Sequence, residues 1–143
     1  MSQITIPIDI VNIEDEGFHL LVRGSINDLN AVFILDTGAS RTVLDLGSLH
    51  LFQIDEPAHR SDVHSTGLGI SELESFYLES VRIRLFEILM HTEFVTVINL
   101  QHVHDAYKRL GLPRIAGIIG SDLLVKHKAV IDFAKATLTV SEL

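Results

Sequence analysis

The chain has no cysteine, so thiolate nucleophiles, thiolate metal sites and disulfides are excluded, and any chemistry falls to carboxylates, histidines and hydroxyls. The sharpest grouping of such residues is Asp36-Thr37-Gly38-Ala39-Ser40, which follows the apolar run Ala31-Val32-Phe33-Ile34-Leu35 without a break. A carboxylate at the end of a buried strand is costly to hold unless it is hydrogen-bonded or functional. Gly38 permits a tight turn and close backbone approach, while Thr37 and Ser40 supply hydroxyls to organise it. By residue type alone, the turn is either a structural stop or a carboxylate placed to exchange protons.

Eight histidines raise a second possibility, a metal site. His102 and His104 would share one face of a strand, but in a helix residues two apart do not. His59 and His64 fall in a loop region, and there is no His-Glu-x-x-His helix and no carboxylate at obvious ligand spacing. These histidines are expected on the surface or at caps, with no metal and no cofactor. Gly67-Leu68-Gly69 lacks the third glycine and the strand–helix setting of a dinucleotide loop.

The elements that must position Asp36 are mostly strands. Ile4, Ile6, Ile8 and Ile10 alternate with Thr5, Pro7, Asp9 and Val11; Leu20, Val22, Gly24 and Ile26 alternate with Leu21, Arg23 and Ser25. Val81, Ile83 and Leu85, and later Leu138 and Val140, repeat the period of two that marks half-buried strands. Pro7 cannot donate to a ladder and predicts an edge or interface strand. Ala31–Leu35 and Ile115-Ala116-Gly117-Ile118-Ile119 are apolar on both faces and predict fully buried strands. Helix is predicted only over Asn99–Leu110, stopped by Gly111 and Pro113, and over Ser121–Lys126, where Asp122 reads as a helix-start residue.

Length sets the frame for these elements. The 143 residues predict a single domain, 1–143, undivided by any Pro/Gly/Ser linker. A domain of this size buries about 68–70% of the surface its unfolded chain exposes, so it needs no staples. A net charge of −8 argues against nucleic acid as a partner. No apolar run approaches the span of a bilayer, and Met1–Ile10 carries no basic residue, so no membrane partner and a cytoplasmic location are expected. At 47% hydrophobic the chain is apolar for few aromatics, which fits either burial against another subunit or a well-filled core.

The Asp36 segment resembles the active-site loop of the retropepsin-like aspartic proteases, in which a hydrophobic strand runs into Asp-Thr/Ser-Gly-Ala/Ser. That family places two hydrophobic residues and a glycine behind the loop, followed by a short helix. Ile118-Ile119-Gly120 leading into Ser121-Asp122-Leu123-Leu124 is similar to that element. Val130-Ile131-Asp132-Phe133, turning into Thr137-Leu138-Thr139-Val140, resembles the family's closing hairpin. The resemblance implies a mostly β, closed β-barrel of the acid-protease type with one or two short helices.

It also implies a mechanism and an assembly. Asp36 is the only residue of this chain in an Asp-Thr-Gly turn: Asp45-Leu46-Gly47 lacks the hydroxyl, and Asp122 follows its glycine. The family's chemistry needs two carboxylates sharing one proton, so the second must come from an identical chain in a homodimer, with the terminal strands near the interface. Thr37 would hydrogen-bond across the twofold axis, Gly38 would admit substrate backbone, and Ala39 would line the cleft. Thr66-Gly67-Leu68-Gly69-Ile70 stands where a flap is expected, without the flap tyrosine of pepsins. The expectation is an aspartic endopeptidase acting on peptide or protein substrate. The alternative is a non-catalytic retropepsin-fold module that binds extended peptides or dimerises.

Overall fold

The computed structural model describes residues 2–14, 17–55, 59–60, 76–90 and 94–143. The chain begins with β1 (Gln3–Pro7) and β2 (Asp9–Asn12), followed by the longest strands, β3 (Phe18–Ile26) and β4 (Leu29–Leu35). Between the last two, Asn27 and Asp28 adopt φ of 51° and 68°. A two-residue hairpin needs such left-handed residues, and Asn and Asp tolerate them best after glycine. The hairpin pairs Leu20 with Leu35 at one end and Ile26 with Leu29 at the other.

After β5 (Val43–Asp45) comes a 3-10 helix, Leu46–Phe52, and then four short strands: β6 (His59–Arg60), β7 (Phe76–Glu79), β8 (Ile83–Leu85) and β9 (Ile88–Met90). β10 (Phe94–Ile98) precedes α1 (Gln101–Arg109), and β11 (Gly117–Ile119) precedes α2 (Ser121–Lys126). A closing hairpin of β12 (Val130–Asp132) and β13 (Thr137–Ser141) completes the order. The helices fall where the pattern predicts them. α1 stops at Gly111, whose φ of 69° suits glycine, with the Leu112 N–H turning back to donate to the Tyr107 carbonyl at 2.9 Å.

Ten of the described strands form one sheet in the order β6-β7-β10-β5-β11-β4-β3-β8-β9, with β2 on β3. Among the described residues no ladder joins β6 to β9, and what they form is a curled half-barrel of the mostly β kind expected from sequence. A separate sheet, β1-β13-β12, pairs the two chain ends antiparallel, from Gln3 opposite Ser141 to Pro7 opposite Thr137. Pro7 therefore lies on an edge strand, as its missing N–H demands.

Buried side chains gather on both faces of the main sheet. One face carries the larger cluster, including Val22, Phe33, Leu35, Leu44, Val97 and Ile119. On the other, Leu21, Ile34 and Ile115 pack with Ile13 and with Tyr107 of α1. β4 is thus buried on both sides, with Phe33 fully buried and Ile34 only 7% exposed. Two non-polar layers hold the strand that ends at Asp36.

Candidate active site

Asp36 leaves β4 into a turn fixed by its own groups. Its N–H donates to the Ile119 carbonyl at 3.0 Å, its carbonyl accepts from the Ala39 N–H at 3.1 Å, and its Oδ1 accepts from the Gly38 N–H at 2.9 Å. The second carboxylate oxygen has no partner among the described residues. Asp36, Thr37 and Gly38 are exposed, Ala39 is half-buried, and no described residue bonds the Thr37 hydroxyl.

The brace behind the turn comes from β11, which runs parallel to β4 with Ile118 beside Ile34 and Ile119 beside Leu35. Gly120 then passes under the turn so closely that a Cβ there would meet the Ala39 carbonyl oxygen at 2.7 Å and the Arg41 carbonyl at 2.8 Å. Only glycine fits without displacing backbone, which is the physical reason for a glycine after two hydrophobic residues. The next N–H, of Ser121, donates to the Ala39 carbonyl at 2.7 Å.

A second tie secures the same junction. The Thr42 hydroxyl, only 3% exposed with its residue, accepts from the Gly120 N–H at 3.0 Å and donates to Asp122 Oδ1 at 2.8 Å. The Thr42 N–H lies 3.0 Å from each oxygen of the same carboxylate. Asp122 does sit in the first turn of α2, where it also accepts from the Leu123 N–H. Its place in the chain predicts that helix role alone; the reach across to Thr42 is a feature of the folded structure. The signal was available: a small hydroxyl residue closing the turn segment, and an acid just after the glycine that crosses it.

Asp36–Ala39 and Ile118–Gly120, separate in sequence, are therefore brought into one hydrogen-bonded unit. Thr66–Ile70 lies outside the described residues. β6 and β7 bracket that segment as an antiparallel pair, with His59 opposite Tyr77.

Asp45 occupies a different environment. It is 1% exposed, and its oxygens accept from the Leu100 N–H at 2.9 Å, Ser48 Oγ at 2.6 Å, His104 Nε2 at 2.8 Å and Arg114 Nη2 at 3.3 Å. Burial pushes its pKa up, but the bonds from Ser48, Leu100 and His104 outweigh it and hold the carboxyl below the ordinary 3.8. A carboxylate so enclosed has no room for a reacting water. His104 corrects an expectation, because it is 7% exposed rather than on the surface: α1 turns it inward onto Asp45 while His102 faces out. Among the described residues, no group of three or more His, Asp or Glu is placed to hold a metal ion, and no helix is long and apolar enough to cross a membrane.

No family model matches the chain, and no curated protein matches it in sequence. Solved structures do. The retroviral protease-like domain of Ddi1 from Leishmania major matches over 87% of this chain and 90% of its own, at 17% identity and a TM-score of 0.61. A retropepsin-like aspartic protease from Rickettsia conorii matches over 99% and 94%, at 20% identity and a TM-score of 0.55. EIAV protease, solved with an inhibitor, matches over 79% and 91%, at 20% identity and a TM-score of 0.56. Likeness at this level of identity is a likeness of fold.

Proposed function

We propose that this chain, which has the fold of the retropepsin-like aspartic proteases, is an aspartic endopeptidase whose active site forms when two copies bring their Asp36 turns together. The observation that carries the reading is an exposed carboxylate in a turn that is otherwise rigidly tied. Asp36 uses its backbone and Oδ1 to hold the turn and leaves Oδ2 unclaimed, beside an unpartnered Thr37 hydroxyl.

Alone, one such carboxylate is a weak base at neutral pH. Two of them about 3 Å apart cannot both ionise, so they share one proton. The ionised member takes a proton from water as that water attacks the peptide carbonyl, and the protonated member donates to the carbonyl oxygen. Thr37 hydroxyls facing each other across the axis would hold the two turns in register. The glycine-bearing segment Thr66–Ile70, entered and left through the β6–β7 pair, is the proposed flap.

The terminal sheet supports a dimer: its edge strands are β1 and β12, with Val130 of β12 59% exposed and Phe133 just after it 64% exposed. β1 is already paired with β13 of its own chain, so on this reading the ends enter the interface as a preformed sheet. The second reading, a protease-like module that dimerises or binds peptide without cleaving, draws on the likeness to a domain described only as protease-like.

Asp36→Asn separates them. The amide is nearly isosteric and should leave fold and dimer intact while abolishing hydrolysis of a peptide pool followed by mass spectrometry. Mixing variant with wild type under subunit exchange should lower activity as the square of the wild-type fraction. A linear fall would sink the shared pair, and a wild-type protein that dimerises but cleaves nothing from acid to neutral pH would leave the binding module.

A further inference from the structure

Arg41 stands in the same row of the sheet as Asp36. Ile34 pairs with Ile118 across β4 and β11, and Ile118 pairs with Val43 across β11 and β5, so these three side chains share one face. β11 runs parallel to β4 and antiparallel to β5. Two residues on from Ile34 is Asp36, two on from Ile118 is Gly120, and two back from Val43 is Arg41. Side chains in a strand alternate between faces, so a step of two returns each chain to the same face. The row holds past the strand ends, because a Cβ on Gly120 would lie 2.8 Å from the Arg41 carbonyl. Two strand spacings, about 10 Å, then separate Asp36 from Arg41.

Burial agrees with this register. Leu44 and Thr42 point inward at 1% and 3% exposure, Val43 is half-buried, and Arg41 is exposed. Among the described residues none pairs with the Arg41 side chain. Asp122, the acid that reaches this segment, directs its oxygens at the Thr42 N–H and hydroxyl and at the Leu123 N–H.

An unpaired guanidinium on the face of the reacting carboxylate meets whatever is laid across that face. An extended peptide advances about 3.3 Å per residue, so with its cleaved bond over Asp36 its second or third residue comes level with Arg41. Guanidinium binds a carboxylate through two parallel N–H donors, and it repels a lysine or arginine in the same place. The twofold axis that brings a second Asp36 also brings a second Arg41, on the other side of the cleaved bond. We infer that Arg41 is a specificity-determining residue, selecting substrates with Asp or Glu at the second or third residue on either side of the cut. This rests on the hydrolytic reading and adds to it a substrate class, acidic peptides.

The test uses three pools of capped decapeptides, random in uncharged residues except at the third and eighth positions, which are Glu, Gln or Lys. Mass spectrometry of pools digested by the full chain reads both the rate and the place of each cut. The Glu pool should be cut at least ~10-fold faster than the Gln pool, the factor a charged hydrogen bond supplies, and the Lys pool slowest. Cuts in the Glu pool should fall mainly at the central bond or one bond from it. Arg41→Gln should erase the difference between the Glu and Gln pools, and Arg41→Glu should invert it in favour of the Lys pool. Each ratio compares pools on one protein, so a loss of folded or dimeric enzyme cancels, and the wild-type ratio decides even if a variant fails to fold. Equal cutting of the Glu and Gln pools by wild type, or an acid preference that survives in Arg41→Gln, would overturn the assignment and leave hydrolysis standing. No cutting of any pool would instead remove the hydrolytic reading, and this role for Arg41 with it.

Discussion

Replacing Asp45 by asparagine tests whether the buried polar cluster holds α1 and the 3-10 helix on the sheet. The carboxylate accepts four bonds: one from the Leu100 N–H just before α1, one from Ser48 in the 3-10 helix, one from His104 in α1 and one from Arg114. Asparagine fits the same space but turns one accepting oxygen into an NH₂ facing donors. Breaking a buried, hydrogen-bonded ion pair from one side costs about 3–5 kcal/mol, so the variant should lose about that much at neutral pH. The pH dependence makes the test specific. Because the folded pKa lies below the unfolded one, the charge contributes its full stability above about 3.9 and loses it as pH falls through the lower folded value. Urea unfolding of both proteins from pH 7 down to pH 2.5 measures this, since carboxylates common to both cancel in the difference. The gap should narrow below about pH 4. A gap under about 1 kcal/mol at pH 7, or one that stays constant with acid, would refute the assignment of that stability to the Asp45 charge.

Gly120→Ala should destabilise the fold by about 1–3 kcal/mol, because its Cβ would press on the Ala39 and Arg41 backbone at 2.7–2.8 Å; unfolding in urea reads this directly, and wild-type stability would mean the turn yields freely. Tyr107 is buried with its hydroxyl 2.7 Å from His19 Nδ1, and burial raises its pKa to about 12, so the fold should lose stability as pH rises above about 10, where the unfolded phenol ionises. Tyr107→Phe should remove that alkaline slope and cost about 1 kcal/mol at pH 7, both read from thermal melts across pH.

How much of this was legible depended on whether the cause was local. Period-two patterning marked β1, β3, β8 and β13, and two-faced apolar runs marked β4 and β11, because each strand's own side chains record which faces are buried. Both helices were also legible, the first of them stopped by Gly111 and Pro113. His104 was not: nothing near it in sequence reveals Asp45, fifty-nine residues earlier, as its partner. Thr42 and Asp122, eighty apart, show the same limit. The Asp36 turn was legible as a pattern, and the reason for its glycine brace emerged only when β11 was seen passing beneath it.

The pairing of β1 with β13 also has a kinetic meaning. Thr5 and Thr139, whose hydroxyls meet at 2.8 Å, are 134 residues apart in the chain. Closing so long a loop from an unfolded chain carries a large entropy cost for a ladder of only five residue pairs. Once the half-barrel has formed, the ends of β2 and α2 are fixed and the remaining loops are short. High-separation contacts of this kind raise the contact order that slows folding. Ile6, Leu138 and Val140 of this sheet are buried in the main core, so that core is incomplete until the two ends of the chain have paired.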